Sequence, residues 1–155
     1  MTRPCWEEDD VDDGHVLWRR VQDHLDHHTW DSRDQRFRPI TTHPSNSLQF
    51  DDDGMSSSWS EHLVQVHNLG PEAILDDARK YTLVYAFSTA AARTMKCSVT
   101  HTPDTDDPVI GCAHCSVRYP TEAIDRGMKK EVRYQLAQAM ELVHGEPTIE
   151  IPPGA

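Results

Sequence analysis

The 155-residue sequence lacks any long apolar run. A helix that crosses a membrane needs about 18 to 20 consecutive apolar residues, so we expect no spanning helix. The first residues carry Arg3 and then acidic side chains, where a secretory signal peptide would be hydrophobic. These two absences exclude the membrane-spanning class and lead us to predict a cytoplasmic protein.

Basic residues are also scarce. Lys and Arg total 15 against 26 Asp and Glu, which gives a net charge of -11. Such a field repels the phosphate backbone of nucleic acids and anionic membrane surfaces. We therefore expect neither as a partner, and predict a protein partner with a basic surface. Six of the acidic residues lie between Glu7 and Asp13, whereas arginines concentrate at 19–38, so a local anion site is compatible with the charge.

Apolar residues make up only 37% of the chain, below the typical share, so they must be concentrated in a few segments. The length favours one domain. We place it at 15–145, between an acidic flexible tail at 1–14 and a proline-rich tail at 146–155.

The segments predict an α+β fold: a mostly antiparallel sheet with a long amphipathic C-terminal helix and one or two shorter helices. The long helix is capped by Thr121 and ends at Gly145. The stretch 22–47 is polar and contains two prolines, which predicts an irregular connection. Strands are expected at 15–21, 47–50, 55–59, 82–87, 97–101 and 109–119, and helices at 60–67, from Pro71 and at 89–95.

A zinc site is a candidate because four residues have side chains of the types that coordinate zinc: Cys97, His101, Cys112 and Cys115. Without a secretion signal, cysteines are expected as thiols or metal ligands. An offset of three in a strand points Cys112 and Cys115 to opposite faces, so burial of plain thiols is the alternative.

A histidine-rich stretch also offers metal donors. His24, His27 and His28 would share one face of a helix, with aspartates nearby. Solvated surface histidines are the alternative interpretation.

A dispersed set of polar residues offers an enzymatic alternative. Arg19 and Arg20 on the first strand, Ser56 on a second and His114 on a late strand are similar in order to folds of the ADP-ribosyltransferase type. That resemblance implies an NAD or nucleotide ligand, with arginine holding a diphosphate. The glutamate that such enzymes use near the late strand is missing. Surface ion pairing of the arginines is the alternative.

A second resemblance covers about residues 16–143. The ordered segments resemble a family of small uncharacterised bacterial proteins, which implies a bacterial single-domain protein and leaves its activity open. The segments are LWRRV, RFRP, SLQF, GMSSSW, YTLVYAFSTAAART and AHC. The resemblance draws attention to Arg19, Arg20, Phe50, Ser56, Arg93 and His114.

Further candidates for binding an anion are Arg36, Arg38, Ser88 and Arg93. Ser88 is included because it precedes a helix whose free backbone N–H groups could bind an anion. Ordinary helix capping competes with that role. No strong catalytic motif is present, so the first hypothesis is a non-enzymatic protein that binds a partner. The alternatives are a small nucleotide-binding enzyme and a zinc-stabilised binding domain.

Overall fold

The computed structural model describes residues 10–24, 27–39, 50, 54–75, 81–121 and 125–154. Within them the chain forms a six-stranded antiparallel sheet, a separate two-stranded hairpin and three α-helices. The predicted α+β class is therefore confirmed. The strands are β1 (Val16–Gln22), β2 (His28–Asp31), β3 (Arg36–Pro39), β4 (Met55–Trp59), β5 (Tyr81–Ser88), β6 (Ser98–His101), β7 (His114–Arg118) and β8 (Glu141–His144). The helices are α1 (Ser60–His67), α2 (Thr89–Thr94) and α3 (Arg126–Ala139).

The strand order of the large sheet is β6-β7-β4-β1-β5-β8. Its central strands β1 and β5 pair along their whole length, from Val16–Ser88 to Gln22–Tyr81. Paired residues of an antiparallel ladder point to the same face. One face therefore carries the large buried side chains Leu17, Val21, Met55, Trp59, Leu83, Tyr85 and Phe87. The opposite face, near β4 and β7, carries polar residues.

The segment 22–47 was predicted to be irregular, and that prediction was wrong for 28–39. There β2 and β3 form a hairpin in which Trp30 pairs with Phe37 and Thr29 with Arg38. The hairpin packs against the end of α3, where the buried Arg38 donates to the Gln138 carbonyl. Of the strand predicted at 47–50, only Phe50 belongs to the described residues, and 1–9 also lie outside them.

The C-terminal helix is shorter than predicted. Asp125, not Thr121, caps α3 by accepting a hydrogen bond from the Met128 amide at 2.8 Å. The helix ends at Ala139, and the next residues form β8, which pairs with β5. An amphipathic helix that ran from Thr121 to Gly145 would place Met128 and Val143 in the core by their helical spacing, yet they are 52% and 44% exposed.

Two shorter predictions also needed correction. The turn after Gly70 is a 3-10 helix at Pro71–Ile74, too short for an α-helix. The strand predicted at 109–119 begins only at His114, because Gly111–Ala113 forms a 3-10 turn. A Cβ atom at Gly111 would clash with the backbone carbonyl oxygen of Asp104, so this turn requires glycine.

Candidate functional site

A cleft of about 320 Å³ opens on the polar face of the sheet. Its volume is at the lower end of the range for small-molecule sites. β1 and β4 form its floor, and the segment between β6 and β7 forms a wall. The lining residues are Trp18, Arg19, Arg20, Ser56, Ser57, Ser58, Ile74, Asp104, Asp107, Ile110, Gly111 and His114. All four residues predicted as the enzymatic set, Arg19, Arg20, Ser56 and His114, lie in this one cleft.

Strand register explains why the serines and the histidine meet. Ser58 pairs with Trp18 on one side and with His114 on the other, and Ser56 pairs with Ser116. Directly paired residues share a face, and diagonal neighbours lie within reach of long side chains. His114 therefore stands directly opposite Ser58 and diagonally from Ser56.

The hydroxyl of Ser56 bonds to the ring of His114. The Ser56 Oγ to His114 Nε2 distance is 3.1 Å, and Ser56 is exposed. The other ring nitrogen, Nδ1, lies 2.9 Å from both the carbonyl oxygen and the hydroxyl of Thr102. The Thr102 hydroxyl continues to Ser116 Oγ at 2.8 Å. A chain of four side chains thus leads from the cleft into the sheet.

Arg19 and Arg20 lie on β1, just beyond the two residues that pair with β4. That pairing covers only Leu17–Trp59 and Trp18–Ser58. Just beyond it, Arg19 Nη1 donates to the Ser56 carbonyl at 2.6 Å, so the guanidinium takes an acceptor that a continued ladder would have used. Arg20 Nη1 lies 3.5 Å from the Ile74 carbonyl. Cationic groups therefore line the cleft beside Ser56.

The wall formed by the segment between β6 and β7 carries the opposite charge, from Asp104 and Asp107. The first accepts a hydrogen bond from the Asp106 amide, and the second accepts from the amides of Val109 and Ile110, each at 3.0 Å. These local bonds fix the loop without a helix or strand. Two aspartates thus balance the formal charge of the two arginines within one cleft.

One buried hydroxyl of the cleft residues has no partner within the described part of the chain. Ser57 is 4% exposed, and its Oγ makes no hydrogen bond there. Because side chains alternate along a strand, the Ser57 side chain lies on the opposite face of β4 from Ser56 and Ser58, so this hydroxyl does not face the cleft.

The other predicted anion residues lie elsewhere and make intramolecular bonds. Arg38 donates to Asp31, Asp34 and the Gln138 carbonyl, and Arg36 donates to that same carbonyl. Because cations are favoured at helix C-termini, this pair stabilises the end of α3. Anion binding by either arginine stays a prediction.

Ser88 and Arg93 lie around α2. Ser88 caps the helix by accepting from the Ala91 amide at 3.1 Å, the competing role foreseen from the sequence. Arg93 forms an ion pair with Asp13 at 2.7 Å, which ties α2 to the segment before β1.

The predicted zinc residues do not form a site in the described part of the chain, where no three His, Cys, Asp or Glu side chains converge. Cys97 and Cys115 are buried free thiols, and burial raises their pKa to about 11 and about 12, whereas zinc takes thiolates. His101 Nε2 bonds to the Cys112 carbonyl at 2.6 Å. Zinc binding thus stays an untested prediction.

The state of Cys112 corrects the expectation of four thiols or ligands, because this cysteine is disulfide-bonded. The cytoplasmic location stays a prediction.

The three histidines predicted to share one helix face, His24, His27 and His28, lie in different environments. His28 is 3% exposed, with Nδ1 bonded to the His24 carbonyl and Nε2 to the Tyr85 hydroxyl, both at 3.1 Å. His24 is exposed and His27 begins the turn into β2. His28 is therefore a core residue, whereas His24 is exposed.

The sequence interpretation missed four residues that line the cleft, Asp104, Asp107, Ile110 and Gly111, and it missed Thr102, which bonds the His114 ring. All belong to the segment TPDTDDPVIG, whose last three residues were predicted to begin the strand at 109–119. The available signal was an aspartate-rich connection directly before the strand that bears His114.

The sequence matches no protein-family model, no curated protein and no solved structure. Among the helices in the described ranges, none has the length and apolar character to cross a membrane.

Proposed function

We propose that the chain binds a compact phosphorylated small molecule, of the nucleotide class, in the cleft on β1, β4 and β7. One observation carries this proposal: two arginines and two aspartates line the same 320 Å³ cleft, together with three serines and a histidine. A ligand that matches it has an anionic group at one end and hydroxyl or amino groups at the other.

Each part of such a ligand has a suitable contact. Guanidinium groups bind phosphate through paired N–H donors. The carboxylates of Asp104 and Asp107 accept hydrogen bonds from ribose hydroxyls or an amino group. Trp18, Ile74 and Ile110 supply apolar area for a base, since small-molecule sites combine such area with a few polar groups.

The alternative of a non-enzymatic partner-binding protein has less support. It depends on the net charge and on edge strand β8, where Leu142 and Val143 are 38% and 44% exposed. That strand lies three strands from β4 in the sheet order, so the two surfaces can be tested separately.

A thermal-shift measurement tests the proposal. We expect adenosine monophosphate, ADP-ribose or NAD to raise the melting temperature, and adenosine to have little effect. A ligand at 100 times its Kd adds about 2.7 kcal/mol of stability, which corresponds to several degrees for a chain of this size.

Arg20→Ala should remove most of the shift, because Arg20 lines the cleft and its exposed side chain is not part of the core. The matched control is Arg33→Ala, which removes an exposed arginine from the β2–β3 turn and should leave the shift intact. An absent shift with all phosphorylated ligands, or an equal shift in Arg20→Ala, would reject the proposal.

A further inference from the structure

The hydrogen bonds around His114 determine which ring nitrogen carries the proton. The Thr102 carbonyl oxygen, 2.9 Å from Nδ1, can only accept a hydrogen bond. In the neutral ring, Nδ1 therefore carries the hydrogen and Nε2 presents its lone pair. Because Nε2 faces Ser56 Oγ at 3.1 Å, the serine hydroxyl donates to the histidine.

The backbone holds this arrangement in place. The Thr102 amide donates to the His114 carbonyl at 3.0 Å, while His114 Nδ1 bonds back to the Thr102 carbonyl. Two residues locked by reciprocal bonds leave the ring one orientation, and that orientation points Nε2 at Ser56. A third group that orients a histidine beside a hydroxyl is the arrangement that activates serine nucleophiles.

Exposure separates the two ends of the chain of hydrogen bonds. Ser116 is 3% exposed and belongs to the interior, whereas Ser56 is exposed in the cleft. A reagent in the cleft therefore meets the Ser56 oxygen first. The Arg19 guanidinium, bonded to the Ser56 carbonyl at 2.6 Å, places positive charge next to the same residue.

From these contacts we infer that Ser56 is a nucleophile with His114 as its general base, and that the cleft hydrolyses a phosphodiester of the nucleotide class. The inference rests on the proposed function for its substrate class. The nucleophile itself follows from the serine–histidine geometry.

The reaction balances without a co-reactant other than water. Ser56 Oγ forms a bond to phosphorus while its proton passes to His114 Nε2, and the P–O bond to the leaving alcohol breaks as His114 returns that proton to the alcohol. Water then attacks the phosphoserine ester, gives a proton to His114 and releases the phosphomonoester. Ser56 recovers its proton, and the neighbouring guanidinium groups stabilise the negative charge at phosphorus in both steps.

Covalent labelling provides the test. We expect a fluorophosphonate probe to modify the full-length protein at Ser56, identified by mass spectrometry of its peptides. We also expect release of p-nitrophenol from bis(p-nitrophenyl) phosphate. Ser56→Ala should abolish both, and His114→Gln should slow both by roughly 10²- to 10⁴-fold, the usual contribution of a general base.

The matched control is Ser98→Ala, an exposed serine on β6 outside the cleft, which should label like the wild type. Melting curves of every variant verify folding. Since Ser56 is exposed, its truncation removes no core contact, and loss of labelling in a folded Ser56→Ala protein supports the inference even if His114→Gln misfolds.

The outcomes distinguish this inference from the proposed function. A wild type that gains stability from nucleotides but neither labels at Ser56 nor cleaves the diester overturns the nucleophile and leaves the binding function standing. Labelling at Ser56 without any nucleotide shift overturns the binding function and the nucleotide substrate class. Cleavage of p-nitrophenyl acetate but not of the phosphodiester overturns the phosphodiester assignment. Labelling at a serine other than Ser56 also overturns the inference.

Discussion

At the residue scale, three histidines in the described ranges bond a backbone carbonyl through one ring nitrogen. His28 bonds the His24 carbonyl, His101 the Cys112 carbonyl and His114 the Thr102 carbonyl. In each neutral ring that nitrogen is the donor. The second nitrogen of His28 meets the Tyr85 hydroxyl in the core, whereas that of His114 meets the Ser56 hydroxyl in the cleft. The two histidines therefore differ in location, since His28 lies in the core and His114 lines the cleft.

His28 should make stability depend on pH. Burial lowers its pKa below the ordinary value of 6.5, so between the two values the unfolded chain binds more protons than the folded one. The stabilisation is complete above pH 6.5 and is lost as the pH falls from there through the folded-state pKa. Urea denaturation at pH 8 and pH 5 should show a smaller stability difference for His28→Gln than for the wild type. Equal differences would show that His28 does not titrate with folding.

From the sequence alone, four of the polar residues that line the cleft could be predicted as candidates, but the contacts between them could not. Arg19, Arg20, Ser56 and His114 were predictable candidates from residue type and order. Their meeting depends on the β4–β7 register, which pairs Ser58 with His114, and on a loop that carries Asp104 and Asp107 to the same place. Register and loop path arise from contacts between distant segments, which local pattern does not contain.

At the element scale, the alternating and continuous apolar patterns correctly predicted β1, β4, β5 and α2. The β2–β3 hairpin was missed because its residues are polar: its stability comes from Trp30 against Phe37, with ring centroids 4.9 Å apart, and from Arg38. The end of α3 was missed because the helical spacing continues into 141–144. Pairing with β5 overrides that local pattern.

Arg38 should be the main link between the hairpin and α3. It is 3% exposed and bonds Asp31, Asp34 and the Gln138 carbonyl, and its hydrogen bond lowers the pKa of Asp31. Arg38→Ala removes these bonds and a buried side chain, although Arg36 still donates to the Gln138 carbonyl and two backbone amides still donate to Asp31. We therefore expect a loss of about 2 kcal/mol in the free energy of unfolding, measured in urea. Arg33→Ala, in the exposed turn of the same hairpin, should change it by less than about 0.5 kcal/mol. Similar losses in both variants would contradict this role.

At the scale of the whole molecule, the net charge of -11 does not describe the cleft, where two arginines face two aspartates. Charge far from zero keeps a protein soluble and repels phosphate at a distance, but a ligand in contact responds to the groups that line its site. The sheet separates this cleft on one face from the apolar core on the other. Binding and stability should consequently respond to different substitutions.

The most direct test of the binding claim is an NMR titration of the ¹⁵N-labelled protein with adenosine monophosphate. We predict that the amide signals that move will belong to cleft residues such as Arg19, Ser56, Gly111 and His114. Signals of Trp30 in the hairpin and Val143 on β8 should stay in place, because both lie on other surfaces of the fold. Signals that do not move, or that move only outside the cleft, would contradict the claim that this cleft binds nucleotides.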